Sequence, residues 1–141
     1  YNLVYREEER EMITLCVDQG VGLIPWSPMA RGFFAGDRKR GGGGETTRSN
    51  TDPFANNLYF REEDFIVRDR AAEMGKDRGV TASQIALAWV LSKPFIHSPI
   101  IGATKIEHLE QAIAALDIQL SGEDMKRLEE PYRAHPVLGH S

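Results

Sequence analysis

Two stretches of the sequence carry residue types that could hold a flat ring and an anion. Residues 22–32 begin with a short apolar run, typical of a buried strand, and continue with Pro, Ser, Pro and Gly, which are typical of a loop. Trp26 lies at the predicted boundary between the strand and the loop. Residues 98–107 repeat the pattern, because a few apolar residues and a Gly lead to Thr104 and Lys105 at the start of a helical pattern. An indole offers a ring for stacking, and a helix N-terminus with a hydroxyl and an ammonium attracts anions. Such parts could form a nucleotide site at two strand ends.

The elements that must position the first stretch are a helix and a strand. Helical spacing predicts a helix over residues 7–19, with Gly20 as its C-terminal stop. A strand is expected to follow at about residues 21–25. The apolar stripe of the helix is predicted to face the core, and it consists of Met12, Ile13, Cys16 and Val17.

Three later helices begin at N-terminal caps that can be read from side chains. In two of them, a Thr is followed three residues later by a Gln or Glu that can complete a capping box, at residues 81–84 and 104–107. Residues 121–124, which begin with Ser, are predicted to start the last helix. Another helix is predicted over residues 62–76 and is closed at Gly79.

Two segments, residues 35–58 and the C-terminal tail, show no regular spacing of apolar residues. Residues 35–58 contain a basic run and four consecutive glycines, which predicts a flexible loop. The basic run, Arg38–Arg40, is interpreted as a solvated loop because no aromatic platform for nucleic acid accompanies it. The tail, residues 133–141, is expected to be irregular.

The order of predicted elements indicates an α/β fold with parallel strands. Two parallel strands cannot bury their backbones alone, and the chain begins at Tyr1 instead of Met, so a fragment of a longer protein is expected. A formal net charge of −4 argues against a nucleic-acid partner, and no apolar run approaches the roughly 18 residues of a membrane span. The single cysteine favours a reducing compartment.

Four motifs in order resemble the C-terminal part of the aldo-keto reductase superfamily, within its aryl-alcohol dehydrogenase-like and potassium-channel β-subunit-like branch. They are Tyr-Asn-Leu at residues 1–3, Ile-Pro-Trp-Ser-Pro-Met-Ala-Arg-Gly at 24–32, Thr-Ala-Ser-Gln-Ile-Ala-Leu-Ala-Trp-Val at 81–90, and Pro-Ile-Ile-Gly-Ala-Thr at 99–104. The resemblance implies a (β/α)8 TIM barrel. Residues 1–141 would be the C-terminal portion of that single domain, so the barrel would be incomplete in this chain.

The resemblance also implies an activity. Family members transfer a hydride between NADPH and an aldehyde or ketone, or an aryl alcohol, and use an Asp, Tyr, Lys and His tetrad. All four family positions precede the part matched here, and Tyr1 does not correspond to the catalytic tyrosine. We therefore expect no catalytic residue in this chain and no activity from it alone. The expected partners are a small carbonyl or alcohol substrate and either the missing N-terminal part of the barrel or a second copy. The expected location is cytoplasmic.

The residues that match the family's cofactor site lie in three groups. The Trp position stacks on the nicotinamide, the loop after it runs under the pyrophosphate, and the helix after the second strand receives the adenosine 2′-phosphate and the adenine. His108 departs from the commoner Gln at its position. The matching residues are Trp26, Ser27, Pro28, Met29, Ala30, Gly32, Arg48, Gly102, Thr104, Lys105, His108 and Gln111.

Simpler interpretations remain open for several of these residues. Taken alone, Trp26 could be rim packing, Thr104 a helix cap and Lys105 a solvated side chain. Trp89 is interpreted as packing, and the four histidines lack the spacing of metal ligands. A non-catalytic nucleotide-binding or channel-subunit-like module is the alternative function. An upstream tetrad would favour the enzyme.

Overall fold

The computed structural model describes residues 1–36, 39–40, 55 and 59–136. Within this part of the chain, the α-helices are α1 (Met12–Asp18), α2 (Glu62–Arg78), α3 (Ala82–Leu91), α4 (Ile106–Ala114) and α5 (Gly122–Glu129). Short 3₁₀ helices cover Glu7–Glu9, Ala30–Ala35 and Ala115–Asp117.

Two extended segments, residues 23–26 and 96–100, pair in parallel. Leu23 bridges to Ile96 and Trp26 bridges to Ile100, with backbone hydrogen bonds of 2.9 Å from His97 N to Leu23 O and 2.8 Å from Ile100 N to Pro25 O. The second segment holds one more residue between the bridges than the first, which makes a bulge. This segment contains Pro99, which cannot donate a ladder bond. The pairing confirms the predicted parallel arrangement.

The core lies between these segments, the first turn of the chain and helices α2 and α3. Trp89 of α3 is completely buried, and its ring stacks on Tyr1 with 5.5 Å between centroids. The interpretation of Trp89 as a packing residue is therefore confirmed. The largest other buried side chains are Phe33, Phe34, Phe65, Leu3, Met74, Ile85 and Leu128.

Helices α2, α3 and α5 follow their local signals. Gly79 ends α2 with a φ of 70°, as a left-handed stop requires. Thr81 Oγ1 accepts a hydrogen bond from Gln84 N at 3.2 Å, and Ser121 Oγ accepts one from Asp124 N at 3.2 Å. The side chains of Gln84 and Asp124 accept in turn from Thr81 N and Ser121 N. The predicted capping box at Thr81 and the predicted helix start at Ser121 are therefore confirmed.

The first helix is shorter than predicted. Glu7–Glu9 forms a separate 3₁₀ turn, and α1 begins at Met12. Of the predicted stripe, Ile13 is buried and Cys16 is half-buried, whereas Met12 and Val17 are exposed. The prediction of Cys16, Met12 and Val17 as core residues is wrong for the described chain, because no element in it covers that side of α1.

Residues 133–136 are irregular, as predicted, and a buried histidine fixes them to the core, whereas the rest of the predicted tail, 137–141, lies outside the described residues. His135 Nε2 lies 2.8 Å from Asp64 Oδ1, and both side chains are almost completely buried. Glu7 Oε1 accepts 2.7 Å hydrogen bonds from His135 N and from the Tyr132 hydroxyl. Asp64 also accepts from Arg61 N at the start of α2. The segment is therefore anchored at the N-terminal end of α2.

Helix α5 is joined to α3 by the partly buried carboxylate of Glu129. Glu129 Oε1 accepts hydrogen bonds of 2.8 Å from Trp89 Nε1 and 2.6 Å from Lys93 Nζ. Partial burial acts to raise the pKa of Glu129, but the bonds from Lys93 and Trp89 outweigh it, and the pKa lies below its ordinary value.

Gly75 marks the closest approach of α2 to the start of α3. A Cβ at this position would lie 2.7 Å from Val80 O and 3.1 Å from Thr81 C, both of them backbone atoms. We expect Gly75→Ala to lower the free energy of unfolding by about 2 kcal/mol, because the helices must separate. Gly122→Ala is the matched control, since nothing lies within 4 Å of its Cβ position, and it should be neutral or stabilising by up to about 1 kcal/mol. Urea unfolding measures both, and equal effects would contradict the close approach.

The lowered pKa of Glu129 predicts a pH dependence. A carboxylate with a pKa below its unfolded value contributes stability above the unfolded value of about 4.3 and loses it as the pH falls through the folded value. Glu129→Gln should therefore lose less stability than the wild type between neutral and strongly acidic pH. Urea unfolding across this range tests it, with Glu123→Gln on the exposed side of α5 as control. Parallel pH curves for wild type and Glu129→Gln would contradict the prediction.

Candidate cofactor site

The loop after the first extended segment has an unusual backbone. Ser27, Ala30 and Arg31 have φ values of 52°, 49° and 55°, and Gly32 follows at 86°. A non-glycine residue in this left-handed region costs roughly 1–2 kcal/mol. The loop therefore needs contacts from elsewhere in the fold to hold its shape.

A buried amide supplies part of that support. Asn2 Nδ2 donates to Ser27 O at 3.1 Å and to the Tyr59 hydroxyl at 3.0 Å, while Asn2 Oδ1 accepts from Val4 N at 3.1 Å. Ser27 O also accepts from Ala30 N at 2.9 Å. Sequence analysis did not assign a role to Asn2 or Tyr59. The signal for Asn2 was a polar residue next to the apolar run that follows it.

The predicted loop residues divide by where their side chains lie. Pro28 and Ala30 are buried, and Met29 packs against an apolar cluster of Leu87, Ala112 and Ala115. Gly32 has no heavy atom within 4 Å of its Cβ position. The buried positions can offer a ligand only backbone groups, which is what a pyrophosphate site built from a loop would use.

Trp26 lies at the carboxyl end of the first extended segment and half of its surface, 50%, is exposed. Its bridge partner Ile100 is 54% exposed. A half-exposed indole at a strand end has ring surface available for a ligand, and it adds no acid or base that would compete in a reaction. The structure thus permits the stacking role predicted for Trp26.

Gly102, Thr104 and Lys105 follow the carboxyl end of the second segment and are all exposed. The predicted capping box at Thr104 is wrong: α4 begins at Ile106, its N-cap is Lys105, and no side chain accepts a hydrogen bond there. Thr104 lies one residue too early to cap the helix. Its hydroxyl is not used as the helix cap, and Lys105 stands directly at the positive end of the helix dipole.

The last predicted positions lie farther along or outside the described structure. His108 and Gln111 are exposed residues of α4, and His108 N donates to Lys105 O at 3.2 Å within the first turn. Arg48 lies outside the described residues. The adenine contacts predicted for His108 and Gln111 therefore remain predictions, as does the role of Arg48.

Three further findings concern the site and the described part of the chain. Burial raises the pKa of Tyr59 to about 12, so its hydroxyl remains protonated at neutral pH beside Asn2. Across residues 1–36, 39–40, 55 and 59–136, no three His, Cys, Asp or Glu side chains converge as metal ligands would. None of the helices described here has the length and apolar character needed to cross a bilayer.

The pairing of the segments brings the two halves of the predicted site to one edge. Since the segments are parallel and joined at Trp26 and Ile100, the loop from Ser27 and the turn through Gly102 leave from the same end. Met29 and α4 also rest on one apolar cluster. These residues could hold an extended dinucleotide, with its ring at Trp26 and an anionic group near Lys105.

The chain is similar to known proteins over most of its length. A sequence profile of the Aldo/keto reductase family matches residues 1–133. A Schizosaccharomyces pombe protein provisionally named an aryl-alcohol dehydrogenase is 45% identical over 139 residues, which cover 99% of this chain and 38% of that protein. The versiconal hemiacetal acetate reductase of Aspergillus parasiticus is 41% identical, with 94% of this chain and 38% of that protein covered.

A solved structure shows the same fold. The crystal structure of a thermostable aldo-keto reductase with the inhibitor epalrestat superimposes with a TM-score of 0.64 and 28% identity, covering 93% of this chain and 37% of that one. The predicted fold class, part of a (β/α)8 barrel, is confirmed. The chain spans about two fifths of the length of these relatives, with shares of 38% and 37%. With a family profile matching nearly its whole length, the chain belongs to the aldo/keto reductase family.

Proposed function

We propose that this chain forms the cofactor-binding part of an NADP-dependent aldo-keto reductase that interconverts a small carbonyl compound and its alcohol. One observation supports the proposal most strongly. The exposed indole of Trp26 and the exposed pair Thr104 and Lys105 leave the same end of two paired parallel segments. Barrels of this class use that end for their ligands. The single Cys16 supports a cytoplasmic location.

Each group in the site would have a separate task. Trp26 would fix the face of the nicotinamide ring, and backbone groups of the loop from Ser27 to Gly32 would hold the pyrophosphate. Thr104 and Lys105, at the N-terminal end of α4, would bind the 2′-phosphate through a hydroxyl, an ammonium and the helix dipole. When bound, NADPH supplies the hydride. The chain's own residues bind and orient it.

We further propose that proton transfer and substrate binding reside in a part of the barrel beyond this chain. The relatives are more than twice as long, and the tetrad expected for the family has no counterpart in the motifs matched here. Large apolar side chains are also exposed on the helix that precedes the first paired segment in the sequence and on the helix that follows the second. They are Met12, Leu15 and Val17 on α1, and Ile106, Leu109, Ile113 and Leu116 on and after α4. We infer that the rest of the barrel covers them.

Cofactor preference tests the phosphate assignment. In the protein at its full natural length, NADPH should bind more tightly than NADH, because NADH lacks the 2′-phosphate. Lys105→Ala should weaken NADPH binding about tenfold, as expected for loss of a charged hydrogen bond, and leave NADH unchanged. Titration followed by the fluorescence of the reduced nicotinamide measures both affinities. Lys126→Ala, an exposed lysine of α5, is the control.

Several results would count against the proposal. Equal affinity for NADPH and NADH in the wild type would remove the phosphate role of Thr104 and Lys105. Binding without oxidation of NADPH by any aldehyde or ketone would support the nucleotide-binding alternative instead of a reductase. Absence of binding to either cofactor would overturn the cofactor site itself.

The exposed apolar faces predict the behaviour of the 141-residue chain alone. It should bind the dye ANS and elute as a heterogeneous associated species in size-exclusion chromatography, because its apolar surface lacks cover. Co-expression with the remaining part of the barrel should abolish both effects. A discrete dimer without ANS binding would indicate that a second copy covers these faces.

A further inference from the structure

The side chain of Asn2 is buried at a place where the proposed cofactor loop begins. Asn2 is 1% exposed, and each of its side-chain polar atoms forms a hydrogen bond. Nδ2 donates to Ser27 O and to the Tyr59 hydroxyl. Its Oδ1 accepts from Val4 N. A buried amide with all its bonds satisfied specifies a single arrangement of its partners.

Asn2 itself is held rigidly. It pairs with Tyr5 through two backbone hydrogen bonds, of 3.0 Å from Asn2 N and 3.1 Å from Tyr5 N, which close a tight turn. The two residues inside the turn, Leu3 and Val4, have no exposed surface. The rigid turn therefore holds the Asn2 side chain in one position, and Ser27 and Tyr59 must adopt positions that match it.

The partners of Asn2 are the two ends of one segment. Ser27 is the first of the left-handed residues in the loop, and its carbonyl accepts from Asn2 Nδ2 and from Ala30 N. Tyr59 lies just before α2, and its hydroxyl is the second acceptor. One side chain thus joins the start and the end of the segment that contains the proposed pyrophosphate loop.

We propose that Asn2 is a positioning residue for the cofactor: its amide holds Ser27 and Tyr59 so that the loop from Ser27 to Gly32 keeps its binding conformation. The inference rests on the proposed function, since it assumes that this loop binds the dinucleotide. The left-handed conformations make the loop unfavourable by itself. If fewer molecules hold the binding conformation, apparent cofactor affinity falls by the same fraction. The rate of the chemical step, once cofactor is bound, does not change.

The test compares three variants in the protein at its full natural length. Asn2→Ala removes both donors, and Tyr59→Phe removes the acceptor at the far end while keeping the ring and the bond to Ser27. Ser121→Ala removes the cap of α5, far from the loop, and should lower the melting temperature by an amount similar to Tyr59→Phe. The readouts are the NADPH dissociation constant, KM for NADPH, kcat and the melting temperature.

We expect Asn2→Ala to raise the dissociation constant and KM for NADPH about tenfold, with kcat within about twofold of the wild type. Tyr59→Phe should raise both constants about threefold, and Ser121→Ala should leave them unchanged. Wild-type constants in Asn2→Ala, or equal shifts in Tyr59→Phe and Ser121→Ala, would overturn the inference. If Asn2→Ala does not fold, the comparison of Tyr59→Phe with Ser121→Ala decides. If the wild type binds neither cofactor, the proposed function fails and this inference fails with it.

Discussion

The parallel pairing of residues 23–26 with 96–100 is the constraint on which the rest of the molecule depends. Two backbone bridges are enough to set the direction of both segments, and direction decides which residues leave at the same edge. The loop at Ser27 and the turn at Gly102 therefore emerge side by side, although they lie far apart in the sequence. Pro25 and Pro99 have no N–H group to donate, which limits the number of hydrogen bonds between the two segments. Packing against the helices must therefore stabilise the rest of the pairing.

That packing is supplied by α3 and the apolar residues around it. Trp89 fills the space against Tyr1, and Met29 from the loop meets α4 through the cluster of Leu87, Ala112 and Ala115. The loop and the start of α4 thus rest on the same apolar support. A site assembled in this way can keep two separate contact points at a fixed spacing, which an extended dinucleotide requires.

The features that could be predicted from sequence are those whose physical cause is local. Thr81 and Ser121 cap their helices through side chains three residues away, and Gly79 stops α2 by its own backbone freedom. The start of α4 was misplaced because Thr104 has the right residue type but stands one position before the cap. The sequence also predicted two parallel strands whose ends carry Trp26 and Thr104, and the observed parallel pairing agrees with that expectation.

The features that could not be predicted join distant parts of the chain. Asn2 bonds to residues 25 and 57 positions away, and His135 to one 71 positions away. Nothing in the residues adjacent to either one specifies those partners. Likewise, Met12 and Val17 have the spacing of a core stripe, but exposure depends on what packs against the helix, which periodicity alone cannot tell.

The burial of His135 makes distant parts of the chain depend on one another. Its contacts with Asp64 and Glu7 hold the backbone that follows α5, up to residue 136, beside Tyr5. Loss of these contacts would therefore be felt at Glu7 as well as at Asp64, although these positions are 128 and 71 residues away in the sequence. The two ends of the described chain thus contribute to the same local stability.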